Sequence, residues 1–108
     1  MKDIDSKWIQ REILLGFWKV HILHHASEQP IFGQWMLKEL RHHGYEVSPG
    51  TLYPIFSRME RVGLIKGTSD RAHSLRERRE YRLTSKGKRM LSLLQEQVEE
   101  LYKEVCGS

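Results

Sequence analysis

A single cysteine, Cys106, stands in a chain of 108 residues, so no internal disulfide can staple it. That usage fits a reducing compartment, and a cytoplasmic location is expected. Long apolar runs are missing as well. The apolar stretches are short and broken by Lys19, His21 and His24. They fall far below the about 20 residues of a membrane span, and no membrane contact is expected. The opening Met1 to Ser6 alternates acidic and polar residues and holds no apolar leader core, so no secretion signal is expected. No glycine-rich phosphate loop, nucleophile elbow or set of facing carboxylates is visible, so neither an enzyme nor a cofactor is expected. Cys106 has no base near it in sequence to activate it as a nucleophile. Repeats and low-complexity linkers are also absent, and the length suits one domain.

What is present is a localised positive charge. The net charge is +4, with 18 basic and 14 acidic side chains. The first 32 residues balance, as do residues 83–108. The whole excess lies in residues 33–82, with ten basic side chains against six acidic ones. A basic surface confined to one region attracts polyanions, nucleic acid first among them.

The hydrophobic periodicity predicts four helices and one hairpin, a mainly α chain. The first helix is expected from Asp5 or Ser6 to His25. Ile9, Ile13, Phe17 and Val20 make one stripe, and Trp8, Leu14, Trp18, Ile22 and Leu23 widen it past a single face. Such a helix is buried on more than one side, one against its own domain and another against a partner chain. After a polar break at Ala26 to Pro30, a second helix is expected from Ile31 to His43. Trp35, Leu37 and Leu40 are assigned to the core, with Phe32 and Met36 alongside, and Gly44 to the left-handed C-cap. Ser48 and Pro49 suit the N-cap and first position of a third helix, Pro49 to Val62, that stops at Gly63. Pro54 falls inside it, early enough for Gly50 to give way. Leu64 to Gly67 and Arg79 to Leu83 read as the strands of a hairpin with a long arginine-rich tip.

The last helix is expected from the cap Thr84 to Val105. Leu91, Leu94, Val98, Leu101 and Val105 are spaced 3, 4, 3, 4, a heptad seam flanked by charge. This seam, with Tyr102 beside it and Ile9, Ile13 and Phe17 of the first helix, is the expected homodimer interface. Residues 1–83 are then expected to form one domain and residues 84–108 a dimerisation helix.

Helix, tight turn, helix and hairpin follow one another in the order of a winged helix-turn-helix. In that motif the start of the second helix enters the major groove of double-stranded DNA. Here Ser48, Gly50, Thr51 and Tyr53 occupy that start, with Ser57, Arg58 and Arg61 further along. The wing supplies Lys66, Arg71, His73, Arg76 and Arg78 for phosphate or minor-groove contact, with Arg79 at its base. The competing reading is a winged-helix module that binds protein rather than DNA. His21, His25 and His24 on the first helix, and His42 and His43 ending the second, raise the question of metal. Histidines at i and i+4 can share a zinc ion, yet no ligand pattern of known spacing completes a site. Their places near helix C-termini have an ordinary explanation in the helix dipole, and no metal is expected.

Ser48-Pro49-Gly50-Thr51-Leu52-Tyr53-Pro54, then Arg58-Met59-Glu60 and Gly63-Leu64-Ile65, resembles the core signature of PadR transcriptional regulators. Arg79-Glu80-Tyr81-Arg82-Leu83-Thr84 with Gly87 resembles that family's wing strand and the start of its last helix, and Phe32-Gly33 stands where the family has Tyr-Gly. The likeness spans about Ile13 to Leu94. It implies a homodimeric repressor on a palindromic promoter site, released by a small molecule, often aromatic. The short tail is similar to the subgroup with one C-terminal dimerisation helix. Two departures are visible. Ser74-Leu75-Arg76-Glu77-Arg78 replaces a Gly-Gly-Arg run in the wing. The last helix carries Tyr102 but no tryptophan for stacking a planar ligand, which leaves Trp8 and Trp18 as the nearest aromatic candidates for an effector site.

Overall fold

The computed structural model describes residues 6–68 and 79–107. The wing-tip residues Arg71, His73, Arg76 and Arg78 lie outside them, as does the expected helix start at Asp5.

Local chemistry sets the punctuation. Helix α1 runs Ser6–Glu28, through the expected break and up to the turn before Pro30. Strand β1 is Ile31–Phe32, and helix α2 is Gly33–His42. Gly44 takes φ +95°, so the chain turns out of α2 in the left-handed region that only glycine enters at no cost. Helix α3, Pro49–Arg61, opens on Ser48, whose hydroxyl accepts from the Thr51 N–H at 3.3 Å. Pro54 is accommodated without a break. Gly63, at φ +87°, ends α3 and leads to β2, Ile65–Gly67. Strand β3 is Glu80–Leu83, and α4 is Ser85–Tyr102, followed by a single wider turn, Lys103–Gly107.

The sheet has three strands in the order β1-β3-β2, all antiparallel. Two belong to the expected hairpin. The third, β1, was expected as the first turn of α2. Ile31 and Phe32 instead pair with Tyr81 and Glu80, which delays α2 to Gly33. Strand alternation then buries Ile31 and turns Phe32 outward. The buried face of α2 is Gly33, Met36, Leu37 and Leu40. Trp35 lies off that face, 40% exposed, with its ring edge-on to His25. The assignment of Trp35 and Phe32 to the core is thus corrected.

The core gathers Trp18, Ile22, Leu23 and Ala26 of α1 around the inner faces of α2 and α3. Phe56 of α3 stacks on Tyr81 of β3 at 4.7 Å between centroids, tying helix to sheet. The first half of α4 joins through Leu91, which is buried, and Leu94, which packs against its edge. Thr84 pins this helix down. Its hydroxyl donates to the Gly63 carbonyl at 2.6 Å and accepts from the Gly87 N–H at 2.9 Å. Gly87 is buried because the α3–β2 turn presses on it: a Cβ there would strike the Leu64 carbonyl oxygen and come within 2.6 Å of Leu83 Cδ1. Backbone cannot yield as a side-chain tip can. Gly87→Ala is therefore expected to cost about 2–3 kcal/mol and roughly 10 °C in Tm. A thermal melt checks this, and an unchanged midpoint would mean that α4 is not seated so closely.

Candidate nucleic-acid interface

Helix α3 has two unlike sides. Leu52, Ile55, Phe56 and Met59 face the core. Ser48, Gly50, Ser57, Arg58 and Arg61 are exposed, and Thr51 and Tyr53 are half-buried at the boundary. The polar side is not walled off by any described part of the chain. At its start Pro49 has no N–H and the Thr51 N–H is held by Ser48, so what the helix start offers a duplex is the close approach that the small, exposed Ser48 and Gly50 allow.

The wing base continues this polar character. Lys66 of β2 stands directly opposite Arg82 of β3, and both are exposed. Like charges opposed across a ladder repel unless an anion intervenes. Arg82 is partly offset by Glu80 at 3.6 Å. It did not enter the expected binding set, although strand alternation alone put it on the outer face.

Arg79 has a different role. Its guanidinium grips Glu60 of α3 in a bidentate pair, Nη1 to Oε1 at 3.2 Å and Nη2 to Oε2 at 3.3 Å. Its Nε also donates to the Thr68 carbonyl at 3.0 Å, and Glu60 accepts from the Gly67 N–H at 3.1 Å. The guanidinium lies flat against Gly67, where any Cβ would meet it at 2.7 Å. One carboxylate thus locks both wing strands to α3. Glu60→Ala is expected to lower stability on the order of 1 kcal/mol, since the pair is bidentate but about one-third exposed. It should also weaken DNA binding several-fold by freeing the wing. Paired melting and mobility-shift measurements test this; a variant matching the parent in both leaves the lock without consequence.

The expected dimer residues divide along their helices. On α1, Ile9, Ile13 and Phe17 are exposed, and Ile13 reaches 67%. Along α4 the seam opens progressively. Leu91 is buried and Leu94 half-buried, while Val98, Leu101 and Tyr102, then Val105 in the terminal turn, are exposed. A groove between the helices is lined by Phe17, Val20 and His24 on one side and Val98 and Leu101 on the other.

The three effector candidates do not meet. Trp8 and Trp18 line one open concavity of about 700 Å³ beside Arg11, Arg41, Ser48 and Thr51. Tyr102 belongs to the α1–α4 groove. Trp18 is 1% exposed, and its indole Nε1 has no hydrogen-bond partner among the described residues. Tyr45 meets its ring edge-on at 5.9 Å.

The histidines are brought together in a way the sequence did not reveal. His43, the C-cap of α2, faces His21 of α1 with 5.1 Å between ring centroids. Glu39, one turn earlier, lies 2.9 Å from His43 Nε2 and 3.6 Å from His25 Nε2. Burial, then the neighbouring rings of His43, His25 and His24, holds the His21 pKa below its ordinary value against the pull of Glu39. Burial and His24 do the same to His25 against Glu39 and Glu28.

A two-helix unit with an open polar recognition face, a three-stranded sheet locked to it and a basic wing base defines a winged helix-turn-helix protein of the DNA-binding kind. The comparisons agree. Residues 22–93 match the model of the transcriptional regulator PadR-like family. The chain is 43% identical over 97 residues to the transcriptional regulator Rv3488 of Mycobacterium tuberculosis, covering 90% of each. It superposes on a PadR-like regulator of Bacillus cereus with a TM-score of 0.75 and 28% identity, over 87% of this chain and 92% of that one. A PadR family regulator of Eggerthella lenta gives 0.65 and 28% identity, over 94% and 93%. This chain belongs to the PadR-like family and is a DNA-binding transcriptional regulator. Its relatives are regulators rather than enzymes. No helix among the described residues is long and apolar enough to cross a membrane.

Proposed function

We propose that the chain acts as a homodimeric repressor on a palindromic promoter site and is released by a small aromatic effector. The observation that carries this reading is the open polar side of α3 on a protein whose α1 and α4 leave apolar stripes uncovered. Monomers rarely keep such stripes exposed. A second copy related by a two-fold axis would cover them and present two copies of α3 to two half-sites. Ser48, Gly50, Thr51 and Tyr53 then read or approach the groove, and Ser57, Arg58, Arg61 and Lys66 meet phosphates or base edges, with Arg71, His73, Arg76 and Arg78 contributing from the wing. Trp8 and Trp18 supply the effector seat. Its support is the open concavity that both line, whose wall includes Ser48 and Thr51, so that an occupant would disturb the start of α3.

A mobility-shift titration against the inverted repeat in the protein's own promoter tests this. Binding as a dimer, weakening steeply as salt rises, is the expected result. A folded dimer that shifts no such DNA at low salt would overturn it and favour a protein-binding module.

A further inference from the structure

We propose that His21, His25 and His43, with Glu39, form a binding site for one divalent transition-metal ion of the zinc class. One ligand atom from each of the three histidines lies within 4.8 Å of the other two. They come from two helices. His21 and His25 sit one turn apart on α1 with nearly parallel rings, 10° between planes. His43 closes the third side from the end of α2. The carboxylate of Glu39, within reach of His25 and His43, can serve as fourth ligand or orient the rings by accepting their second N–H. Tyr45, whose hydroxyl is 3.3 Å from His21 Nε2, can hold the His21 ring in the same way.

The donor chemistry selects the ion. Three imidazoles and one carboxylate suit zinc, cobalt or nickel, whereas calcium and magnesium require mostly oxygen. Zinc with nitrogen ligands at 2.0–2.1 Å places tetrahedral donors about 3.3 Å apart. The exposed side chain of His43 can turn inward to close that gap, because it lies beyond the last helical turn of α2. Protonating several of these clustered rings would set like charges against one another, with Glu39 and Glu28 as the carboxylates beside them. The dipole explanation needs those charges, while a metal needs the neutral rings. A second group, His24, His25 and Glu28, lies wholly on α1 and shares His25. Only one of the two groups can therefore be filled at a time, and only the first joins two elements. An ion there would clamp α1 to the first helix of the DNA-binding unit.

The test uses the full chain, stripped with a chelator and titrated with Co²⁺ and with Zn²⁺. One tetrahedral cobalt spectrum per chain and a matching zinc isotherm are expected. His43→Ala should weaken zinc binding at least about tenfold, and Glu39→Gln by about tenfold. His42→Ala and His24→Ala should leave it unchanged. His43 is exposed, so its variant keeps the fold and the result stays readable; circular dichroism verifies this. Absence of stoichiometric binding, or binding that survives His43→Ala and is lost in His24→Ala, would overturn the assignment.

Discussion

Val98→Asp is expected to split the proposed homodimer and weaken operator binding at least about a hundredfold while leaving each chain folded. Val98 is 47% exposed on α4, so a carboxylate there meets solvent in the lone chain and disturbs no core contact. In a two-fold assembly the same position lies in the seam twice over, once from each copy. Burying an unpaired carboxylate in apolar surroundings costs several kcal/mol. Two of them would weaken association by roughly four powers of ten or more. Operator affinity should then fall at least about a hundredfold, since each half-site must be bound without its neighbour. Leu91→Asp is the contrasting variant. Leu91 is 6% exposed inside the core, and a charge there should unfold the chain itself. Sedimentation with a thermal melt separates the two results. A Val98→Asp protein that still sediments as a dimer would remove α4's outer half from the interface.

The features legible in the sequence were those that neighbouring residues decide. The Ser48 cap, the stops at Gly44 and Gly63 and the start of α4 at Thr84 all lie where the local chemistry put them. The 3–4 spacing of α4 marked its apolar side, of which Leu91 and Leu94 turn to the chain's own core while Val98, Leu101 and Val105 stay exposed, and the double character of α1 was visible in its width. What escaped depends on residues far apart in the chain. Strand β1 has only two residues, and its partners Glu80 and Tyr81 lie some fifty positions away. Nothing within Ile31-Phe32 distinguishes it from the first turn of a helix, and misplacing that boundary also misdirected Phe32. Arg79 looked like one more wing arginine until its carboxylate partner, Glu60, came from another element. His43 shows the same effect, since its nearness to His21 depends on how α1 crosses the end of α2. Where a residue stands in its element was thus easier to read than what it meets.

That asymmetry bears on the recognition helix, where an arginine can be exposed for DNA or merely solvated. Arg58 and Arg61 are both exposed, one turn apart on α3, on the side away from Leu52, Ile55 and Phe56. Arg79 differs in being held by Glu60 against Gly67. Truncating Arg58 and Arg61 should therefore cost the fold little, within about 0.5 kcal/mol each. Binding is another matter. A phosphate-contacting arginine releases counterions, so its loss lowers affinity across all sequences and reduces the salt slope by about one per residue. An arginine reading a guanine edge contributes about 1–3 kcal/mol of discrimination, and its loss relaxes specificity at one base pair. The double variant Arg58→Ala, Arg61→Ala is expected to bind its operator about a hundredfold more weakly with a melting temperature lowered by no more than about 5 °C. Affinities measured at several salt concentrations, on operator and on scrambled DNA, distinguish the two roles. A uniform loss with a shallower slope assigns both side chains to the backbone, while a loss confined to the operator assigns at least one to a base. Unchanged affinity on both DNAs would mean that this side of α3 does not face the duplex, and the orientation proposed for the dimer on its operator would fall with it.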